Sequence, residues 1–422
     1  MQPTMQPTTV AAGIEPVAVA RVESAVQRFV RWLDEHGETS YDHQSFFAGR
    51  LGGAAKRLYY RRRRLGTLAV APMIMCEAFL PSARRLFWSP QRFPIADAHY
   101  AMGFASLSRV SGDERHYRRA VHFLDVLEQT RCAGYEHDGW GYPFDWQTKS
   151  GTIRRGTPLI TTLPYVYEAF RDVYTLDDSP RWRRRMRSIA EHALRDYRDI
   201  ATSPHAASCA YTPSPDDPGG VVNASAYRAF LLMQAGADFA EPTYGRVAER
   251  NLNFVLEAQN ADGSWPYSVD GHRDFIDHFH TCFVLKALAK IEALGGRGER
   301  LTEAIERGVA YYVRHLIDEH GLPRPFSRAP RLTVYRYELY DYAECLNLGT
   351  LLRARFAELD RVRAMALRDL LDRWQKPDGA FRARRLLVGW DNVPMHRWAQ
   401  SQTFRALCFL LAQDVARRQA GD

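Results

Sequence analysis

The sequence predicts an all-α fold, a single (α/α)6 toroid of six inner and six outer helices. Three observations carry this. Polar clusters recur six times, anchored at residues 99, 162, 225, 280, 341 and 401, with separations of 63, 63, 55, 61 and 60 residues. Each cluster opens a helix that is apolar almost all round, and a charged helix with one apolar stripe follows. No Val/Ile-rich alternating run reads as a β-strand.

Taken in order, residues 1–19 contain Pro and Thr but no basic leader and no long apolar run, so they read as a loose tail and not a signal peptide. Residues 20–422 then form one toroid domain. Val22, Val26, Phe29, Val30 and Leu33 mark an outer helix at the N-terminus. Leu65 to Leu80 is apolar except for Glu77 and follows the run Arg61 to Arg64. It contains Pro72 and falls short of the ~20 residues a span needs. It reads either as a buried segment with a solvated Arg flank or as a surface resting on an anionic membrane. The apolar helices Ser225–Ala235 and Thr281–Leu294 belong inside. The striped helices His116–Thr130, Pro180–Tyr197, Arg246–Ala258, Glu299–Leu316 and Leu359–Trp374 belong outside.

Composition agrees with one globular body. At 46% hydrophobic and 25% charged over 422 residues, disordered, collagen-like and small disulfide-scaffold classes are excluded. Lys+Arg 57 against Asp+Glu 49 gives +8, and only five of the 57 are Lys. This Arg bias reads as a GC-rich genome, with anion binding as the functional alternative. No nucleic-acid partner is expected. The six cysteines form no C-x-x-C, and Cys282, Cys345 and Cys408 are 63 residues apart, a repeated small buried position. Free thiols fit a reducing cytoplasm, with the membrane-surface alternative placing the protein at the periphery of the inner membrane.

In a toroid the residues just before the inner helices converge on one mouth, which is where a site is expected. Trp140-Gly141-Tyr142-Pro143-Phe144-Asp145-Trp146-Gln147 suits a sugar, whose C–H face stacks on rings while Asp145 and Gln147 bond hydroxyls. Alternatively, these aromatics only pin a loop. Asp277-His278-Phe279-His280-Thr281 offers an acid and a base, with Asp277 orienting an imidazole or capping the helix. The His-x-His spacing is poor for a helical metal pair, so no metal is expected, nor any cofactor. Tyr337, Asp341 and Glu344 follow i+4 and i+3 steps and can share a face, beside Tyr342. Asn223, Trp265 and Tyr267 complete the expected substrate-binding set. Asp42-His43, Asp97-Ala98-His99, Trp390-Asp391-Asn392, His396-Arg397-Trp398 and Arg154-Arg155 are thinner candidates.

Gln259-Asn260-Ala261-Asp262-Gly263-Ser264-Trp265 resembles the Q-x-x-x-G-x-W segment of squalene cyclases and related toroids, where it ties helices together. Trp374 to Phe381 looks like a degenerate copy. No D-x-D-D or D-D-x-x-D occurs, which argues against prenyl-diphosphate chemistry. Cys132 to Gln147, Asn223-Ala224-Ser225 and the Q-N-x-D-G-S-W segment followed by Phe275-Ile276-Asp277-His278-Phe279-His280-Thr281 together resemble bacterial toroid proteins of exopolysaccharide and capsule biosynthesis. Wider relatives of that fold include sugar 2-epimerases, unsaturated glucuronyl hydrolases and uronate lyases. The resemblance implies a saccharide or oligosaccharide partner. Two carboxylates across the axis would hydrolyse a glycoside, and a His/Tyr pair would eliminate or epimerise a uronate. The expected reacting groups are Asp145, His280 and Asp341, with Asp277 and His278 beside them. The rival from another class is a non-catalytic scaffold for a glycan or lipid-linked intermediate.

Overall fold

A computed structural model describes residues 16–420 except 297 and 354. Helix α1 (Pro16–His36) is followed by α2 (Ser45–Ala48), α3 (Arg50–Arg61) and α4 (Arg63–Phe79). Five hairpins come next: α5 (Pro94–Ser111) with α6 (Glu114–Gln129), α7 (Leu163–Asp177) with α8 (Pro180–Arg195), and α9 (Val222–Phe239) with α10 (Pro242–Glu257). Then come α11 (His278–Ala293) with α12 (Glu299–His315), and α13 (Leu339–Leu351) with α14 (Ala357–Asp369). The chain closes with α15 (Ser401–Ala420).

The odd helices from α5 to α15 pack side by side in chain order, and α15 packs back on α5. That closes the inner ring. Each even helix from α6 to α14 lies outside its partner, and α1 packs on α15 as the sixth outer helix. Burial follows the predicted division. Residues Ala96 to Leu107 of α5 are all buried, whereas α6 buries only Ala120, Phe123, Leu124 and Leu127. The first stretch buries apolar area on every side and the second only along its stripe. Cys282, Cys345 and Cys408 are buried on three inner helices, as their spacing predicts.

Two loops repeat one tie. Gln259 Nε2 donates to the Gly263 carbonyl and to Ala304 O of α12, at 3.0 and 2.9 Å. Gln375 Nε2 donates to Gly379 O at 3.0 Å and to Ala25 O of α1 at 2.8 Å. Gly263 and Gly379 have φ of +91° and +99°, and a Cβ at either would strike the backbone of the adjoining outer helix. The Trp374–Phe381 segment is therefore a working copy of the tie, and α1 stands where α12 stands in the other unit.

Two expectations are corrected. Pro16 to Val19, expected in the tail, form the start of α1, since proline has no N–H to lose in a first turn; residues 1–15 lie outside the described residues. The loops also carry short antiparallel strands: β1 (Trp146–Thr148), β2 (Gly151–Ile153), β3 (Asp199–Ala201), β4 (Ala207–Cys209), β5 (Ile276–Asp277), β6 (Phe326–Arg328), β7 (Tyr335–Glu338), β8 (Arg384–Leu386) and β9 (Trp390–Asp391). At two to four residues each they pin loops and build no layer.

Among the described residues no helix is long and apolar enough to cross a membrane. Helices α3 and α4 pack on each other, and α3 lies against β1 beside the mouth. Glu77 of α4 reaches inward to Arg384 at 2.7 Å. The opposite side of this hairpin leaves Leu65, Leu68, Met75, Phe79 and Leu80 more than half exposed.

Candidate functional site

The mouth is lined by two runs of aromatic contacts, Tyr142 to Tyr211 and Tyr267 to Trp398. Tyr142 meets Trp146 at 5.5 Å between centroids, and Trp146 meets Tyr211 at 6.1 Å. Tyr267 lies edge-on to His280 at 4.7 Å, and His280 touches Phe279 at 4.4 Å. Phe279 meets Tyr340 at 5.2 Å, and Tyr340 meets Trp398 at 5.1 Å. The Arg397 guanidinium lies 4.4 Å from both Trp398 and Tyr142 and joins the two runs into one collar. Burial pushes the Tyr267 hydroxyl up to about 12, so it stays protonated as a donor.

His280 is the imidazole that opens onto this collar. Asp277 is the N-cap of α11, and its Oδ1 accepts the His280 backbone N–H at 2.9 Å. The same carboxylate lies 2.7 Å from His280 Nδ1. Nδ1 is thereby held, and Nε2 has no protein partner among the described residues. The ring keeps 21% side-chain exposure, whereas Asp277 is buried. An imidazole fixed by a carboxylate on one nitrogen, with the other left without a protein partner, can transfer a proton.

The mouth's other carboxylates are held by cations. Arg397 grips Asp42 with two bonds of 2.7 and 2.8 Å. Arg384 bonds Glu338 at 3.0 Å and Glu77 at 2.7 Å, and His43 Nε2 meets Glu338 at 3.0 Å. Burial, with the Arg384 and Arg84 charges, holds the His43 pKa well below normal. Lys56 of α3 donates to Gln44 at 2.8 Å, and burial lowers its pKa to about 8. Beneath the collar, His99 Nε2 meets Gln402 at 2.6 Å, and the Tyr165 and Tyr227 hydroxyls meet at 2.5 Å. His43 Nδ1, His99 Nδ1, Trp398 Nε1 and Gln402 Oε1 are buried without a protein hydrogen bond. These orphan atoms offer both donors and acceptors to a polar guest.

Several expected site residues lie elsewhere. Trp140 and Trp265 are buried structural pegs: their indole N–H groups donate to Leu127 O and Val255 O at 2.8 and 2.9 Å. Each ties a loop to its outer helix, so neither ring offers a face to a sugar. Asp145 sits on the rim, bonded to Arg154 and to the Arg155 backbone N–H, both at 2.9 Å. The backbone bond chiefly, with Arg154, holds its pKa low, as a loop staple requires. Gln147 is buried and accepts from Thr152 within the β1–β2 hairpin at 2.7 Å. Asn223 is buried at the head of α9, with Oδ1 unpartnered.

The predicted shared face of Tyr337, Asp341 and Glu344 does not form. Tyr337 belongs to β7 and donates to Asp318 at 2.6 Å, outside the ring. Tyr342 is rotated about 100° from Asp341 around α13 and donates outward to Asp369 at 2.8 Å. Asp341 is buried, 3.6 Å from His278 Nδ1. Burial, with Glu338, Asp277 and Glu344 nearby, raises its pKa well above the usual range. His278 points away from the mouth to Tyr312 of α12 at 2.8 Å, and burial lowers it to about 3. Glu344 lies a turn deeper and pairs with Lys286. Of the expected set, His280, Asp277, Tyr142, Trp146 and Tyr267 meet at the mouth. Lys56 and Tyr211 were missed. Lys56 had one visible signal, as one of five lysines in a chain whose base is otherwise Arg.

No protein-family model matches the chain, and no curated protein sequence does. Solved structures do. A possible member of the GH105 family from Salmonella enterica superposes with a TM-score of 0.61 at 12% identity, over 98% of this chain and 97% of that one. Unsaturated glucuronyl hydrolase from Bacillus sp. GL1 gives 0.58 at 14% identity, over 93% and 96%. Cellobiose 2-epimerase from Bacillus thermoamylovorans gives 0.58 at 10% identity, over 76% and 87%. At these identities the likeness establishes the fold, the (α/α)6 toroid.

Proposed function

We propose that the protein is a saccharide-acting enzyme whose chemistry is proton transfer by His280, held by Asp277, at a carbon made acidic by an adjacent carbonyl or carboxylate. The observation that carries this reading is the Asp277–His280 pair set inside an aromatic collar. Tyr142, Trp146 and Tyr267 supply stacking faces and hydroxyl donors for a pyranose. Nε2 removes the C–H proton. Return of a proton to the opposite face gives an epimer, and loss of the β-linked oxygen gives an unsaturated product. Likeness to a sugar epimerase and a glucuronyl hydrolase supports a carbohydrate substrate. Hydrolysis by a carboxylate pair is disfavoured, because Asp145 is stapled to the rim and Asp341 lies under the collar.

A second reading concerns the place of action. The exposed stripe Leu65, Leu68, Met75 and Phe79, headed by Arg61 to Arg64, supports contact with an anionic membrane surface. That fits a role in surface-polysaccharide assembly or modification on the cytoplasmic side. If glycan binds tightly there without turnover, the protein is a scaffold for a glycan or lipid-linked intermediate.

The test is incubation in deuterium oxide with aldose- and uronate-terminated oligosaccharides, followed by mass spectrometry and NMR. Proton abstraction puts one solvent deuterium on carbon in an epimer, or leaves a double bond in an elimination product. Simple hydrolysis with no carbon-bound deuterium and no unsaturation would sink the reading, as would full activity of His280→Asn.

A further inference from the structure

Outside the ring lies a second concavity that the mouth does not explain. The antiparallel β7–β8–β9 sheet is a wall with two faces. On one face the cross-strand pair Glu338 and Arg384 joins the network at the mouth. Side chains alternate along a strand, so the neighbouring pair Tyr337 and Arg385 faces the other way. There the wall, the end of α14 and residues 317–324 enclose a trough of about 710 Å³, continuing past Arg336 and Tyr337 into a further 510 Å³. The register shift between Tyr335 and Tyr337 is the bulge at which Arg336 turns into the trough.

The trough's charges are unequally used. Its acids are engaged except one: Asp369 by Tyr342, Trp374 and Arg373, Asp372 by Arg21, and Asp318 by Tyr337, while exposed Glu319 meets only His320 among the described residues, at 3.9 Å. Arg324, Arg336, Arg368 and Arg385 line it, and among the described residues no carboxylate pairs with any of them. Arg385 rests on Trp390 at 4.8 Å, which presents its guanidinium at a fixed height. Four free guanidinium forks beside Tyr337 and Trp390 match repeated planar anions on a stackable backbone.

We propose that this trough is a second saccharide-binding site, selective for an acidic polysaccharide bearing uronate carboxylates, and that it holds the chain whose end enters the mouth across the β7–β8–β9 wall. The guest's sugar identity rests on the proposed function; its anionic character rests on the trough alone.

Calorimetric titration tests this with polygalacturonate fragments and dextran fragments of equal length. The acidic fragments bind at least about tenfold tighter, as two or more charge-assisted contacts imply. The double variant Arg336→Gln/Arg385→Gln loses that preference. So does Arg368→Glu, on the exposed face of α14, which decides the matter if the double variant does not fold. His280→Asn keeps the preference, because it lies across the wall. Equal affinity for the two probes overturns the proposal, as does a preference that survives both trough variants. Turnover without the preference removes this site and leaves the proposed reaction standing, and the preference without turnover does the reverse.

Discussion

Asp277 holds His280 at two points: Oδ1 accepts its backbone N–H at 2.9 Å, and Oδ2 stands 2.7 Å from its Nδ1. One side chain thus starts α11 and aims the imidazole that the helix carries to the mouth.

Asp277→Asn separates those two roles. The amide oxygen can still cap, but no charge remains to stabilise the imidazolium. Turnover falls by about 10²-fold or more, within the range of a positioned acid–base group, while melting changes little. Asp277→Ala loses the cap as well and costs about 1 kcal/mol of stability. Steady-state kinetics and thermal melts on the pair distinguish the effects.

The tryptophans sort by what their rings touch. Trp140→Phe and Trp265→Phe each lose a buried hydrogen bond to an outer helix, costing about 0.5–1.5 kcal/mol, with KM unchanged. Trp146→Ala removes part of the collar, so KM rises with little loss of melting temperature. A KM increase in Trp140→Phe or Trp265→Phe would return those rings to the site.

Stability should depend on pH through His278 and Asp341, with opposite signs. Burial lowers His278 to about 3 in the folded chain, against the ordinary 6.5. Between those values the unfolded chain binds a proton that the folded chain does not, so this group removes stability as pH falls from 6.5 towards 3. Burial raises Asp341 well above the ordinary 3.8, so the folded chain retains a proton that the unfolded chain releases. Its contribution is present below 3.8 and is lost as pH rises towards the folded value. Asp341→Asn therefore gains on the wild type as pH rises, in denaturant titrations run from acid to alkaline buffer. A stability difference that does not change with pH would contradict this.

The outer face of α4 gives a separate prediction. Leu68→Glu/Met75→Glu places charges on the exposed stripe, where packing loss is small. It should abolish co-sedimentation with vesicles containing phosphatidylserine and leave turnover of soluble oligosaccharides unchanged. Equal recovery of variant and wild type with the vesicles would remove the membrane reading.

The sequence was most informative where one residue's role is local. The cap at Asp277 is set by the residue and its neighbours, and the buried positions Cys282, Cys345 and Cys408 follow from a period. The Gln259 tie and its copy at Gln375 could be read as motifs for the same reason. Aromatic clustering was less informative, because Trp140 and Trp146 look alike in sequence. One faces an outer helix and the other faces the mouth, and a loop's path between two helices settles which. Tyr337, Asp341 and Glu344 share a face only if the helix begins before Tyr337, whereas β7 runs to Glu338 and α13 starts at Leu339.

By itself the sequence determined the ring: a sixty-residue period, two kinds of helix and the residues that begin and tie them. Each of these depends on burial or on hydrogen bonds within a few residues, and so repeats along the chain. Only the tertiary structure decided the site. The collar draws on residues near 142, 211, 280, 340 and 398, and Arg397 touches Tyr142 only because α15 packs back on α5. Periodicity says that a side chain is covered; closure of the ring decides what covers it.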